Sequence, residues 1–198
     1  MPPLLAGTRM ALTTRITNDQ HSYGWGPIAI HWLVALAIIT LFGLGLYIDS
    51  LSYYDPEYRT VPHWHKSIGL LLAGLFMLRL GWRLFNRPPA PLPQPALLTT
   101  ATHAVHGLLY LLLIIALVSG YLISTADGRA IAVFNWFEVP AMPALSDNQE
   151  DIAGEVHEIA TYALIAMAAL HALAALKHHF INRDDTLKRM LGYTKVER

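Results

Sequence analysis

The sequence predicts an all-α fold, an integral membrane four-helix bundle with both termini in the cytoplasm. The 198 residues are 54% hydrophobic and only 14% charged, whereas soluble domains carry about 25% charged residues. Four stretches reach the roughly 20 apolar residues that a helix needs to cross a bilayer. They are residues 28–48, 65–85, 103–124 and 156–180. The composition is therefore that of a multi-pass membrane protein.

Flanking residues mark where each predicted span begins and ends. The first follows Pro27, with Trp25 and Trp32 suited to the headgroup level. The second begins after Pro62 and ends before a proline-rich linker, residues 88–95, which acts as a semi-rigid spacer. The sequence thus divides into an N-terminal tail at 1–22, a membrane domain at 23–190 and a C-terminal tail at 191–198.

Charge placement predicts the direction of the spans. Most basic residues lie in the two tails, the linker between spans two and three, and the adjoining span ends. These are Arg9, Arg15, Arg79, Arg83, Arg87, Lys177, Arg183, Lys188, Arg189, Lys195 and Arg198. The other two connections are acidic and contain only Arg59 and Arg129 as basic residues. By the positive-inside rule, the basic side faces the cytoplasm, and an even number of spans leaves both tails there.

Composition also excludes several functions. The formal net charge of zero argues against a nucleic-acid partner, which would need a basic surface. With no cysteine, the chain has no disulfide, thiolate metal site or covalent haem attachment. The first 22 residues lack the compact apolar core of a signal peptide, so they are expected to remain as a tail.

Four histidines are placed to hold two haems between the spans. His157 and His171 are fourteen residues apart on span four, which is close to a whole number of turns and ~21 Å along the helix. His65 opens span two on the outer side, at the depth of His157, and His31 lies near the inner start of span one, at the depth of His171. Histidine in a membrane span is costly and is a functional candidate, and two axial imidazoles suit an electron-transferring haem.

Other interpretations of these histidines stay open. They are interfacial or interhelical hydrogen-bonding groups in the plainest interpretation, and His103 or His106 on span three is an alternative partner for His171. Zinc is a weaker rival, because a tetrahedral site needs three or four converging ligands.

Further residues are candidates for contacts around the two haems. Arg79 is fourteen residues after His65 on span two, the same spacing as between His157 and His171 on span four. It is therefore a candidate for an inner-haem propionate, and snorkelling to the lipid phosphates is the alternative. Lys66 is the corresponding candidate on the outer side. His106 and His178 are candidates for contacts with a quinone headgroup near the inner side. The outer loop at 126–155, with its aromatic residues, is either an interfacial anchor or a lid over the outer site.

Several of these segments resemble one family. The segments around His31, His65, His106, His157 and His171 to His179, and the stretch from Asp184 to Met190, are similar in order and spacing to bacterial cytochrome b561, a family of four-helix dihaem proteins. The resemblance implies two non-covalent haem b groups with His31, His65, His157 and His171 as axial iron ligands. It also implies an inner-membrane electron carrier that reacts with quinone, and one branch of the family oxidises superoxide and reduces ubiquinone.

Two classes of function follow as expectations. The first is an oxidoreductase that carries electrons between a periplasmic-side partner, with superoxide as one candidate, and the ubiquinone pool. The second is a non-catalytic membrane anchor and electron-transfer subunit for a periplasmic redox protein. Membrane lipid is a partner in both, and a homodimer is compatible with either.

Overall fold

The computed structural model describes residues 9–196, and four long apolar helices account for most of them. Helices α1 to α4 span Trp25–Ser50, Thr60–Phe85, Ala96–Thr125 and Gln149–Phe180. A short helix, α5, covers Thr186–Met190. The strands are β1 (Arg9–Leu12), β2 (Ile131–Val133), β3 (Phe137–Val139) and β4 (Tyr193–Val196). Helices α1 to α4 are long and apolar enough to cross a membrane, which confirms the predicted four spans.

The helices extend beyond the predicted apolar stretches because a helix can continue outside the bilayer. Helix α3 begins at Ala96 rather than at residue 103, and the hydroxyls of Thr99, Thr100 and Thr102 donate to carbonyls four residues earlier. Helix α4 begins at Gln149 rather than at residue 156, and the acidic residues in its first turn interact favourably with the positive end of the helix dipole. These two helices therefore begin seven residues before the predicted membrane spans.

Large apolar side chains point away from the protein along the helices. Ile39 is 66% exposed, Leu170 is 58% exposed and Leu173 is 60% exposed. A water-soluble protein rarely exposes apolar surface in such continuous bands, whereas lipid acyl chains solvate it without cost. These faces are the lipid-facing surface.

The chain forms two compact units. The terminal unit comprises Met1–Leu33, Met77–Gln94 and His171–Arg198, described here for residues 9–196. The central unit comprises Val34–Phe76 and Pro95–Leu170.

The two tails pair with each other in the terminal unit. Strands β1 and β4 form an antiparallel pair in which Leu12 lies opposite Tyr193. Residues 13–24 then fold back along the start of α1, where Trp25 N–H donates to the Arg15 carbonyl at 2.9 Å. Gly24 is required here, because a Cβ at this position would lie 2.3 Å from the Ile16 carbonyl oxygen. Because β1 and β4 pair, these two strands lie on the same side of the membrane, a pairing that no local pattern in the sequence predicts.

The central unit contains a β-hairpin packed on the beginning of α2. Strands β2 and β3 are joined through Phe134 and Asn135, both with positive φ. Val133 is fully buried, and Phe134 N–H donates to the buried Ser67 hydroxyl at 3.0 Å. The Ser67 hydroxyl in turn lies 3.4 Å from the Ala132 carbonyl. The hairpin is thereby anchored two residues from His65.

Candidate functional site

The terminal unit brings His31 and His171 together. Their ring centroids are 6.4 Å apart, and the ring planes are inclined by 69°. Arg79 of α2 joins this pair, since its Nη2 lies 3.3 Å from His31 Nδ1. A guanidinium group only donates, so this contact belongs to the tautomer with the proton on Nε2, whereas iron at Nε2 requires the proton on Nδ1 and Arg79 turned to another acceptor. The structure therefore brings Arg79, which the sequence named as a candidate propionate contact, to the His31 ring.

The central unit brings His65 and His157 together in nearly the same way. Their ring centroids are 6.2 Å apart, and the planes are inclined by 71°. Both rings are partly buried, and His65 Nδ1 is a buried atom with no hydrogen-bond partner among the described residues. A buried nitrogen without a partner is costly and commonly marks a place where a ligand supplies the missing interaction.

Helix α3 fixes the protonation of the His157 ring. The Ser119 hydroxyl donates to the Ile115 carbonyl at 2.6 Å, so its oxygen accepts from His157 Nδ1 at 3.2 Å. His157 Nδ1 also donates to the Ala116 carbonyl at 2.8 Å. The proton therefore sits on Nδ1, and Nε2 keeps its lone pair. A metal-binding histidine is held in this way, because its second nitrogen donates to a carbonyl.

The ring spacing in both pairs fits a single metal ion between two axial imidazoles. A metal–imidazole bond is about 2.0–2.1 Å and the nitrogen lies ~1.1 Å from the ring centre, so two rings on one ion are ~6.3 Å apart. The observed 6.2 and 6.4 Å lie on either side of that value. Among residues 9–196 no group of three or more His, Asp and Glu side chains converges on a metal position. The donors are arranged as pairs, as haem iron requires.

Two glycines lie against the histidines of the central unit. A Cβ added to Gly120 would lie 3.0 Å from Cε1 of His157, which is tighter than ordinary contact. A Cβ added to Gly45 would lie 3.6 Å from Cε1 of His65, which is ordinary contact. No described atom outside the local backbone would meet a Cβ at Gly43, Gly69 or Gly74. Close approach to a histidine ring therefore explains Gly120 specifically.

A cavity of about 670 Å³ in the central unit lies between the start of α2 and the segment that follows α3. Arg59, His63, Lys66 and Arg129 all line it. Arg129 is paired with Asp127, and its hydrogen bond lowers the pKa of that carboxyl below 3.8. Arg59 and Lys66 therefore leave the cavity with a cationic side, opposed by Glu150. The structure places Lys66 in the cavity wall, next to His65 in the chain.

The β2–β3 hairpin forms one wall of this cavity. Ala130, Ile131 and Ala132 line it, while the Phe134 ring packs at 6.3 Å from His63 and 5.9 Å from Trp64. Trp136 is 73% exposed instead. The loop after α3 thus contains a folded hairpin with Phe134 packed against α2 and Trp136 exposed, and its role as lid or interfacial anchor stays a prediction.

The remaining predicted residues are distributed between the units. His106 is partly buried and His103 is exposed, both in the central unit, whereas His171 lies in the terminal unit beside His31. His178 lies in the terminal unit, where its Nδ1 is 2.5 Å from Asp184. Sequence reasoning missed Ser119 and Asp184. Ser119 contacts His157 from a different helix, so its position in the sequence does not indicate the contact. Asp184 was named only as part of the stretch that resembles the family.

Helices suited to a membrane, with facing histidine pairs inside them, define the class of membrane b-type cytochromes. Comparison with known proteins bears this out. Residues 22–193 match the family model described as prokaryotic cytochrome b561. The chain belongs to the prokaryotic cytochrome b561 family, as its sequence motifs indicated, and is a multi-pass bacterial membrane protein that carries haem b and transfers electrons.

Individual relatives are similar over nearly their whole length. The chain is 48% identical to cytochrome b561 homolog 2 of Escherichia coli K12, over 89% of this chain and 94% of that protein. It is 30% identical to the probable superoxide oxidase CybB of Yersinia pestis, over 85% of this chain and 95% of that protein. It is 26% identical to cytochrome b562 of Cereibacter sphaeroides, over 88% and 98% respectively.

Proposed function

We propose that this protein is a dihaem oxidoreductase of the bacterial inner membrane that carries electrons between a periplasmic-side partner and ubiquinone. In this proposal His65 and His157 hold the outer haem, and His31 and His171 hold the inner one. The observation that carries the proposal is the pair of ring separations, 6.2 and 6.4 Å, each matched to one iron between two imidazoles. When bound, a haem b group supplies reversible one-electron chemistry.

The residues around each pair give the two sites different surroundings. His157 donates from Nδ1 to the Ala116 carbonyl, which increases the basicity of Nε2. His31 instead has the permanent positive charge of Arg79 beside it. A nearby cation favours the reduced state of a redox centre, whereas a more basic ligand favours the oxidised state. In this proposal the two contacts favour inward electron flow, from the outer to the inner site.

The cationic cavity supports an anionic partner on the outer side. Superoxide is the candidate donor, and a relative at 30% identity bears the name probable superoxide oxidase. Arg59 and Lys66 line the cavity, and Lys66 follows His65 in the sequence. Their local positive charge can attract a small anion although the protein has no net charge. Lys66 also remains a candidate for an outer propionate.

The proposed orientation rests on charge and on the paired tails. The pairing of β1 with β4 puts both tails on one side, and the basic residues Arg15, Arg87 and Arg189 belong to that same unit. By the positive-inside rule this is the cytoplasmic side. Ubiquinone would then meet the inner site, where Arg79 and His178 are candidate contacts, with His106 as a further candidate on α3.

A second function is favoured by the exposed apolar surface of the outer loop. Trp136 is 73% exposed, Leu145 is 72% exposed and Met142 is 57% exposed. Such a surface suits either the lipid interface or a periplasmic redox protein, for which this chain would be an anchor and electron-transfer subunit.

The deciding experiment uses the protein purified in detergent. Pyridine haemochrome analysis is expected to give two haem b groups per chain, with Soret and alpha bands that respond to dithionite. Superoxide should reduce the bands rapidly, and a soluble ubiquinone analogue should reoxidise them. Two haems with no response to superoxide or quinone would favour the anchor subunit. One haem or none per chain would contradict the assignment of both histidine pairs.

A further inference from the structure

The inner end of α4 carries a histidine–carboxylate pair outside the two haem-binding pairs. His178 Nδ1 lies 2.5 Å from an Oδ2 of Asp184, and the two side chains are 25% and 31% exposed. His178 is seven residues after His171, so both project from similar faces of α4, about 10 Å apart along the axis. The pair therefore lies between the inner haem-binding position and the aqueous phase.

The turn after α4 is shaped to hold this carboxylate in place. Arg183 has a φ of 56°, an uncommon conformation for a residue with a side chain, and it turns the chain back toward α4. Asp184 N–H then donates to the His178 carbonyl at 3.1 Å, and Thr186 N–H donates to Asp184 Oδ1 at 2.9 Å. One carboxylate oxygen is thus fixed by the backbone, and the other is left for the imidazole.

The protonation states follow from these contacts. Burial opposes ionisation of Asp184, but hydrogen bonds from Thr186 and His178 outweigh it and hold the pKa of the carboxyl below 3.8. An ionised carboxylate only accepts, so the proton between the two side chains sits on His178 Nδ1. Because the carboxylate holds Nδ1, Nε2 is the nitrogen of His178 that can exchange a proton with another partner.

Reduction of a quinone consumes protons as well as electrons. Two electrons and two protons convert the two carbonyl oxygens of a quinone into two hydroxyls, so O–H bonds form on the side where the quinone binds. In a membrane, protons reach a headgroup through ionisable side chains, because the hydrocarbon supplies none.

We propose that His178 and Asp184 form the proton-delivery pair for quinone reduction on the inner side, with His178 as the donor and Asp184 as its positioning residue. This inference rests on the proposed function. In each of the two one-electron steps the His178 Nε2–H bond breaks as a quinone O–H bond forms, and the haem that His31 and His171 would hold would supply the electron. The imidazole regains a proton from the inner aqueous phase. Asp184 keeps the ring oriented, with Nδ1 toward its carboxylate.

Neighbouring charges provide a matched control. The other ionisable groups around the pair are Lys177 and His179 on α4, Arg183 in the turn, Asp185 just before α5 and Lys188 on α5, the last two 3.2 Å apart. Asp185→Asn removes the same charge as Asp184→Asn, one residue away, but leaves His178 with its carboxylate. A general electrostatic effect on the inner site would affect the two variants alike.

The test measures reoxidation of the dithionite-reduced protein by decylubiquinone in stopped flow, with haem content determined for each variant. At about pH 8, Asp184→Asn should slow the rate about tenfold and His178→Gln about a hundredfold, whereas Asp185→Asn should stay near wild type. The loss in Asp184→Asn should shrink to less than about twofold near pH 5.5, where water supplies protons readily.

The outcomes separate this inference from the proposed function. A wild-type protein that does not react with decylubiquinone contradicts the proposed function itself. A reactive wild type with equal rates in Asp184→Asn and Asp185→Asn overturns the proton-delivery pair. A loss in Asp184→Asn that is independent of pH also overturns it, because that loss would be structural. If Asp184→Asn fails to retain haem, the reoxidation rate of His178→Gln, which keeps the carboxylate, is compared with wild type instead. An unchanged rate in His178→Gln overturns the proton-delivery pair.

Discussion

Replacing Gly120 by alanine should disturb the proposed outer haem and leave the inner one intact. The added Cβ would lie 3.0 Å from Cε1 and 3.3 Å from Nδ1 of His157, so the ring must move by a few tenths of an ångström. The ring cannot move freely, because Nδ1 is held at 2.8 Å by the Ala116 carbonyl. Disturbing the partner of a metal-binding histidine typically weakens metal affinity 10- to 100-fold, or about 1.4–2.7 kcal/mol.

The assay for Gly120→Ala is haem content per chain followed by a spectroscopic redox titration. The variant should lose part of the outer haem or shift its potential, while the second component of the titration stays in place. Gly45→Ala is the matched control, since its Cβ would lie at an ordinary 3.6 Å from the His65 ring. Full occupancy and two unchanged potentials in Gly120→Ala would show that the His157 ring is not confined as the structure indicates.

Three further predictions concern His157, Arg79 and Asp19. His157→Ala should remove one haem per chain and leave the other, whereas loss of both or of neither would count against the pairing with His65. Arg79→Gln should lower the potential of the inner haem by about 60 mV, or ~1.4 kcal/mol, because a cation 3.3 Å from His31 is lost, and the exposed Arg83→Gln should change neither potential in the titration. The third prediction concerns Asp19. Burial opposes ionisation of this carboxyl, but hydrogen bonds from His21 and Ser22 hold its pKa below 3.8. Its contribution to stability is present above that value and lost as the pH falls through the folded pKa, so hydrogen exchange in residues 19–25 should accelerate below about pH 4 in the wild type but not in Asp19→Asn.

The four spans were predictable because their signal is local. A helix in lipid satisfies its own backbone hydrogen bonds, so a run of apolar residues of sufficient length determines both the helix and its environment. The helix ends were less predictable. The turns before His103 and Val156 are polar, and a threonine-rich or acidic turn continues a helix without any change in the apolar pattern.

The paired strands at the termini had no comparable signal. Arg9 lies opposite Val196, and contacts between residues so far apart in sequence depend on how the intervening spans return the chain. The β2–β3 hairpin was also missed, because its turn uses Phe134 and Asn135 at positive φ rather than the glycine that usually marks such a turn.

The sequence by itself determined the membrane class, the four spans, the family and the four histidines as candidates, because helical periodicity and hydropathy need no knowledge of neighbouring helices. Only the tertiary structure brought the histidine rings to 6.2 and 6.4 Å, set Ala116 and Ser119 against His157, and placed Arg79 beside His31 and Asp184 beside His178. Hydrogen bonds depend on distances of a few tenths of an ångström between separate elements, and residue spacing along one helix carries no such information.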